Sequence, residues 1–188
     1  MMLGEKVSSP PQRTPATQVM VSGQGLLSVL EAMSLIESHA RKILASHGLD
    51  PIDGAQWYPF RNALDAFKVI TERIGPSTMK SIGRKLLEHV RFSSANLSLE
   101  EALASLDSVY RICHRGPGYI GKYVFESTGA RSAQVTTDNE YMCELDEGLL
   151  EALSERFKPP GALWVRVVHK PGSCRKQGNT TCTYEVSW

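Results

Sequence analysis

Between residues 26 and 109, apolar positions recur in successive runs with the three- and four-residue period of amphipathic helices. Proline or glycine residues mark several of the ends of these runs, and Ser98 with Glu101 forms a capping box at the start of the last one. The pattern predicts four helices, over residues 26–47, 60–74, 79–90 and 99–109.

The pattern changes at the Gly116-Pro117-Gly118 segment, which breaks any helix. Aromatic and β-branched residues with a two-residue period follow, and they predict a hairpin of residues 119–127 and 133–137. A helical run at 146–157 precedes two further β-rich runs at 162–169 and 180–187. We therefore predict an α+β fold, in which an N-terminal helical layer packs on a small antiparallel sheet with one crossing helix.

Composition narrows this picture. The 188 residues include 41% hydrophobic side chains, enough for one full core, so residues 23–188 are predicted to form a single domain. Residues 1–22 are rich in proline and small polar side chains and predict a flexible leader. The formal net charge of +1 argues against a nucleic-acid or membrane partner, and no apolar signal segment starts the chain, so a cytoplasmic location is predicted.

Two cysteines near the C-terminus give the strongest chemical signal. Cys174 and Cys182 flank Gly178, and a turn at this glycine would bring the two thiols together across a hairpin. Two paired thiolates are half of a tetrahedral zinc site, and the candidates for the other ligands are Cys113, His114, Cys143 and His169. The simplest closed set is Cys143, His169, Cys174 and Cys182. The alternative is that these are ordinary buried cysteines.

The segment from Glu140 to Leu150, followed by the pattern Cys174-x3-Gly178-x3-Cys182-x-Tyr184, resembles the 4-vinyl reductase domain family. That family belongs to a superfamily shared with haem nitric-oxide-binding domains and transport-particle subunits. The resemblance covers roughly residues 110–188. It implies a structural zinc held by Cys143, Cys174 and Cys182, with His169 in place of an acidic ligand of the family.

For function, the resemblance implies a module that binds a small apolar or aromatic molecule between the helices and the sheet and signals its presence to a separate output protein, as a homodimer. The residues that we expect to contact this ligand are Trp57, Phe60, Tyr119, Tyr123 and Phe125.

Two other function classes stay open. One is a haem-based gas sensor in which His114 binds the iron, although a histidine at a helix C-terminus more often bonds to the end carbonyls as a cation. The other is a scaffold protein with a filled core. We predict no enzyme activity, because the sequence contains neither a Gly-x-Ser-x-Gly motif nor a His-Glu-x-x-His motif.

Overall fold

The computed structural model describes residues 12–92, 94 and 96–188. The α-helices are α1 (Gly23–Ala32), α2 (Glu37–Ser46), α3 (Phe60–Arg73), α4 (Pro76–Leu86), α5 (Leu99–Ala104), α6 (Leu106–Cys113) and α7 (Cys143–Arg156). The strands are β1 (Met20–Ser22), β2 (Trp57–Pro59), β3 (His114–Arg115), β4 (Lys122–Gly129), β5 (Ser132–Asp138), β6 (Arg166–His169) and β7 (Cys182–Ser187). The predicted α+β class, with helices on an antiparallel sheet, is confirmed.

The larger sheet has the strand order β4-β5-β7-β6, and every pair in it is antiparallel. Its two hairpins, β4–β5 and β6–β7, correspond to the two that the sequence predicts. One face carries fully buried side chains such as Val135, Tyr184 and Val186. This face packs towards the helices, which include the crossing helix α7.

Helix α7 also packs closely against α4. A Cβ atom on Gly83 would lie 2.1 Å from the Leu145 carbonyl oxygen, and one on Gly148 would lie 2.0 Å from the Lys80 carbonyl oxygen. These two glycines therefore let the helix backbones approach more closely than any side chain would allow. Lys80 forms ion pairs with Glu147 and Glu151 along the same contact.

The first predicted helix is divided into α1 and α2. The break lies at residues 33–36, where Leu35 is 99% exposed. Helix α1 packs on α4 whereas α2 packs on α3, so the chain bends to reach two different partners. The fourth predicted helix is similarly divided into α5 and α6. Periodicity cannot reveal either bend, because the apolar period continues across it.

A second, three-stranded sheet with the order β2-β1-β3 was not predicted, and it changes the start of the domain. Strand β1 lies within the segment that the sequence predicted to be a leader. Ala16, Val19 and Val21 are buried in the core, so the fold begins before Gly23 and not at it. The strands are only two or three residues long, which leaves too short a pattern to recognise. Residues 1–11 of the predicted leader lie outside the described residues.

Candidate functional site

Four candidate metal ligands meet beside the larger sheet. One ligand atom from each of Cys143, His169, Cys174 and Cys182 lies within 4.8 Å of the others. The Sγ atom of Cys143 is 3.3 Å from that of Cys182 and 3.6 Å from that of Cys174. The structure therefore brings together the set that the sequence predicted. We call these four side chains the thiol cluster.

Three elements position the thiol cluster. Cys143 is the first residue of α7, His169 ends β6, and Cys182 begins β7. Tyr184 supports two members, because its ring stacks on that of His169 at 4.6 Å and its hydroxyl donates to the Cys143 carbonyl oxygen at 2.8 Å. Gly178 has a positive φ of 87° in the connection between Cys174 and β7, which is the turn that the Cys-x3-Gly-x3-Cys spacing predicts.

The electrostatics of the thiol cluster favour a thiolate at Cys182. A hydrogen bond from the Cys143 thiol and another from the Arg175 backbone N–H lower the pKa of Cys182 below its usual range, against the effect of burial. The same contact raises the pKa of Cys143 well above its usual range. The buried Nε2 atom of His169 has no hydrogen-bond partner among the described residues. Thiolates and an imidazole with a free nitrogen are the donors that soft and borderline transition-metal ions prefer.

A buried carboxylate links the thiol cluster to the centre of the fold. Asp146 is fully buried and accepts hydrogen bonds from Tyr123 Oη at 2.6 Å, Thr137 Oγ1 at 2.9 Å and Arg175 Nη2 at 2.7 Å. Asn139 Nδ2 donates to the same carboxylate. The sequence patterns did not predict this network. Its signal was an acidic residue on the apolar face of α7, which needs partners when it is buried.

A small cavity lies on the other side of Tyr123, between α4, α6, α7 and β4. Its volume is about 60 Å³. The apolar residues that line it are Leu86, Val90, Leu106, Val109, Leu145 and Leu149. The polar side chains on its wall are Tyr110, Cys113, His114, Tyr123 and Tyr141. We call this cavity the His114 pocket.

His114 is 5% exposed, and both of its ring nitrogens have partners. Nδ1 lies 2.9 Å from the Tyr110 carbonyl oxygen, and Nε2 lies 2.7 Å from the Tyr141 hydroxyl. Nδ1 therefore donates to the carbonyl and Nε2 accepts from the hydroxyl. The expected bond to an end carbonyl of the helix is present. The expected cation is not, because burial lowers the pKa of His114 to about 4 and keeps the ring neutral.

The residues that the sequence predicted to bind ligand are distributed over the molecule, and Tyr123 is the one that lines the His114 pocket. Phe60 is buried behind it, edge-on to the rings of His114 and Tyr141. Phe125 packs against the core further along β4. Tyr119 and Trp57 lie elsewhere: Tyr119 bonds to Asp138, and the Trp57 ring lies beneath the Arg115 guanidinium.

The sequence matches no family model. No curated protein matches it either. Solved structures do match over most of the chain, and they include H-NOX (haem nitric-oxide/oxygen-binding) proteins.

One of these structures comes from a study of haem distortion in the H-NOX family, with 16% identity over 89% of this chain and 94% of that chain, and a TM-score of 0.66. An H-NOX protein from S. oneidensis in the Fe(II)NO state has 12% identity over 88% and 98%, with a TM-score of 0.65. An oxygen-binding H-NOX domain related to soluble guanylate cyclases has 16% identity over 88% and 94%, with a TM-score of 0.63.

These comparisons correct the expectation of zinc as the cofactor. The group named for the similar structures is haem or its iron, not zinc. Their fold is consistent with the superfamily that the sequence suggested, and the 4-vinyl reductase resemblance itself stays a prediction. At this level of identity the likeness concerns the fold, and the chain has the fold of H-NOX domains.

Proposed function

We propose that this chain is a ligand-binding sensory module and that the His114 pocket is its ligand site. The observation that carries the proposal is a neutral, buried histidine hydrogen-bonded to Tyr141 on the wall of an apolar cavity, within a fold shared with haem-based sensors. Apolar walls with a few converging polar groups are typical of small-molecule sites. The similar structures favour the haem-based alternative over a module defined by structural zinc.

The residues of the His114 pocket include a suitable iron ligand, but the cavity is too small for a haem. A neutral imidazole is the form that binds iron, and burial keeps His114 in that form. However, both of its nitrogens are engaged in hydrogen bonds. The cavity of about 60 Å³ is also far below the roughly 300 Å³ at which ligand pockets begin. The pocket as described therefore does not accommodate haem, and a bulky ligand has to widen it.

An absorption spectrum of the purified full chain with added haemin tests the haem alternative. If His114 binds the iron, a Soret band appears and its position or intensity changes in His114→Ala. The matched control is His47→Ala, which removes a histidine at the end of α2, away from the pocket. If both variants give the same spectrum, His114 does not bind the haem iron, and the haem alternative is wrong.

A thermal-shift screen with small aromatic molecules tests the broader proposal. A ligand at 100 times its dissociation constant stabilises the folded protein by about 2.7 kcal/mol, which is easily measured. Filling the pocket with Leu149→Phe should abolish the shift, while the circular dichroism spectrum shows that the variant is folded. If neither haemin nor any aromatic molecule binds through this pocket, the proposed function is wrong.

The proposal extends to partners. The chain is taken to be a non-catalytic module that forms a homodimer and acts on a separate output protein. Light scattering on the purified chain measures its mass directly, and a monomer at all concentrations would contradict the dimer. Among the described residues, no helix is both long enough and apolar enough to cross a membrane.

We also propose that the thiol cluster is a structural metal centre. Its support is the convergence of three thiols and an unpartnered imidazole nitrogen within 4.8 Å. A metal bound by four protein groups has no open position for substrate, so it would stabilise the junction of α7 with the sheet. Elemental analysis across the first-row transition metals identifies the ion. A metal-free and fully stable protein would contradict the proposal.

A further inference from the structure

A surface groove of about 470 Å³ lies next to the His114 pocket. It runs between the start of α1, the segment of residues 88–91 and helix α6. Its apolar side includes Ile112, which is 71% exposed. Unlike the pocket, the groove has a volume within the range of small-molecule sites.

The groove and the pocket share three lining residues, Val90, Val109 and Cys113. These three side chains therefore form part of the wall of both spaces. Valine and cysteine have small side chains. A ligand that displaces them joins the buried pocket to the groove.

The charged residues of the groove are unevenly balanced. Glu88 forms an ion pair with Lys85 at 2.8 Å, and His89 lies 3.0 Å from Glu31 and 2.6 Å from Gln24. Arg91 forms no ion pair with any residue in the described part of the chain. Among the described residues, the Arg91 guanidinium is thus a charged group of the groove without an ion-pair partner, and a guanidinium is a preferred partner of carboxylates.

From this juxtaposition we infer that the ligand of the His114 pocket is amphipathic: its apolar end enters the pocket past Val90, Val109 and Cys113, and a carboxylate at its other end binds Arg91 in the groove. The inference rests on the proposed function and adds the chemical class of the ligand. It also accounts for the size of the pocket, because only part of the ligand is buried there. The bound carboxylate stays near solvent, where Arg91 can pair with it at little desolvation cost.

Two probes that differ only at the charged end test the inference. 6-Phenylhexanoate carries the carboxylate, and 6-phenylhexan-1-ol replaces it with a neutral hydroxyl. Calorimetry on the full chain should show about threefold to fivefold tighter binding of the carboxylate, since an ion pair near solvent contributes up to about 1 kcal/mol. Arg91→Gln should remove that difference and leave the affinity for the alcohol unchanged. Arg131→Gln, which removes an exposed arginine at the β4–β5 turn, should preserve it.

A footprint at Cys113 locates the apolar end. Cys113 is partly exposed, whereas Cys143, Cys174 and Cys182 are buried, so iodoacetamide should modify Cys113 first. Bound 6-phenylhexanoate should slow this reaction severalfold, and Cys113→Ser gives the background. The Leu149→Phe variant should weaken both probes, because it fills the pocket and not the groove.

The results of these experiments distinguish a failure of the Arg91 subsite from a failure of the His114 pocket as the ligand site. If both probes protect Cys113 and lose affinity in Leu149→Phe, but Arg91→Gln changes neither, the anionic subsite is wrong while the proposed pocket stands. If the carboxylate binds through Arg91 without any effect of Leu149→Phe, the groove is a separate site and the inference fails. If neither probe binds, the amphipathic class is wrong, and the haemin and aromatic screens decide the proposed function.

Discussion

The thiol cluster and the His114 pocket are both buried groups of metal-binding or titratable side chains, yet their polar atoms are in opposite situations. In the thiol cluster the sulfur atoms contact mainly one another, and His169 Nε2 has no partner among the described residues. In the pocket, both nitrogens of His114 are hydrogen-bonded, and so is the hydroxyl of Tyr123.

The difference shows what each region requires. A buried polar atom without a partner is costly, so a ligand that satisfies these donors would stabilise the thiol cluster. The pocket is already satisfied by the protein, and a ligand there has to replace existing hydrogen bonds or avoid them. The first region therefore suits a structural centre, whereas the second suits reversible binding. Asp146 connects them, because it bonds both to Tyr123 of the pocket and to Arg175 beside Cys174.

The largest expected effect comes from breaking the thiol cluster. Cys182→Ser should reduce the bound metal from about one ion per chain to none and destabilise the fold by more than about 4 kcal/mol, because metal binding and folding are coupled. Elemental analysis and urea unfolding measure the two quantities. Cys113→Ser is the matched control, since Cys113 lies outside the thiol cluster, and it should keep the metal. Equal metal content in both variants would contradict the role of the thiol cluster as a structural metal centre that is distinct from the His114 pocket.

Removing the Asp146 carboxylate should affect the thiol cluster and the His114 pocket together. Asp146→Asn leaves the buried Arg175 guanidinium without its carboxylate partner, and we expect a loss of about 3 kcal/mol. Asp65→Asn is the control, because Asp65 forms an exposed pair with Arg61 on the surface of α3 and should cost less than about 0.5 kcal/mol. Denaturant unfolding compares the two. A similar, small loss in both variants would mean that the link carries little energy.

The pH dependence of stability tests the burial of His114. Its pKa is 6.5 in the unfolded chain and about 4 in the folded protein. The unfolded state therefore binds a proton first, so stability falls as the pH drops from about 6.5 towards 4, by about 3 kcal/mol for this group. Unfolding curves of the wild type and His114→Gln across this range isolate the contribution. A variant with the same pH slope as the wild type would show that His114 is accessible to water.

The smallest effect concerns one hydrogen bond of the pocket. Tyr141→Phe leaves His114 Nε2 buried without a donor, which should cost about 1–2 kcal/mol. Tyr119→Phe removes a half-exposed hydroxyl and serves as the control. Urea unfolding gives both values. If the two variants are equally stable, the hydrogen bond from Tyr141 to His114 contributes no stability. The contrast between the hydrogen-bonded pocket and the thiol cluster would then be wrong.

Local chemistry fixed much of this structure. The periodicities located the helices that pack around the core and the two hairpins of the larger sheet, because the spacing of apolar residues depends directly on helix and strand geometry. The spacing of Cys174, Gly178 and Cys182 likewise led to the thiol cluster, since a positive-φ turn brings both thiols to one place. Each of these features is encoded within one continuous stretch of the chain.

The rest depended on contacts between distant segments. The division of the first helix follows from two packing partners, and the small sheet joins strands from residues 20, 57 and 114 that are too short to recognise. The His114 pocket unites α4, α6, α7 and β4, and its two central polar residues are 27 positions apart in the chain. Whether a histidine is a cation or a neutral ring depends on the solvent that the other elements exclude. His114 is neutral because the tertiary structure buries its ring.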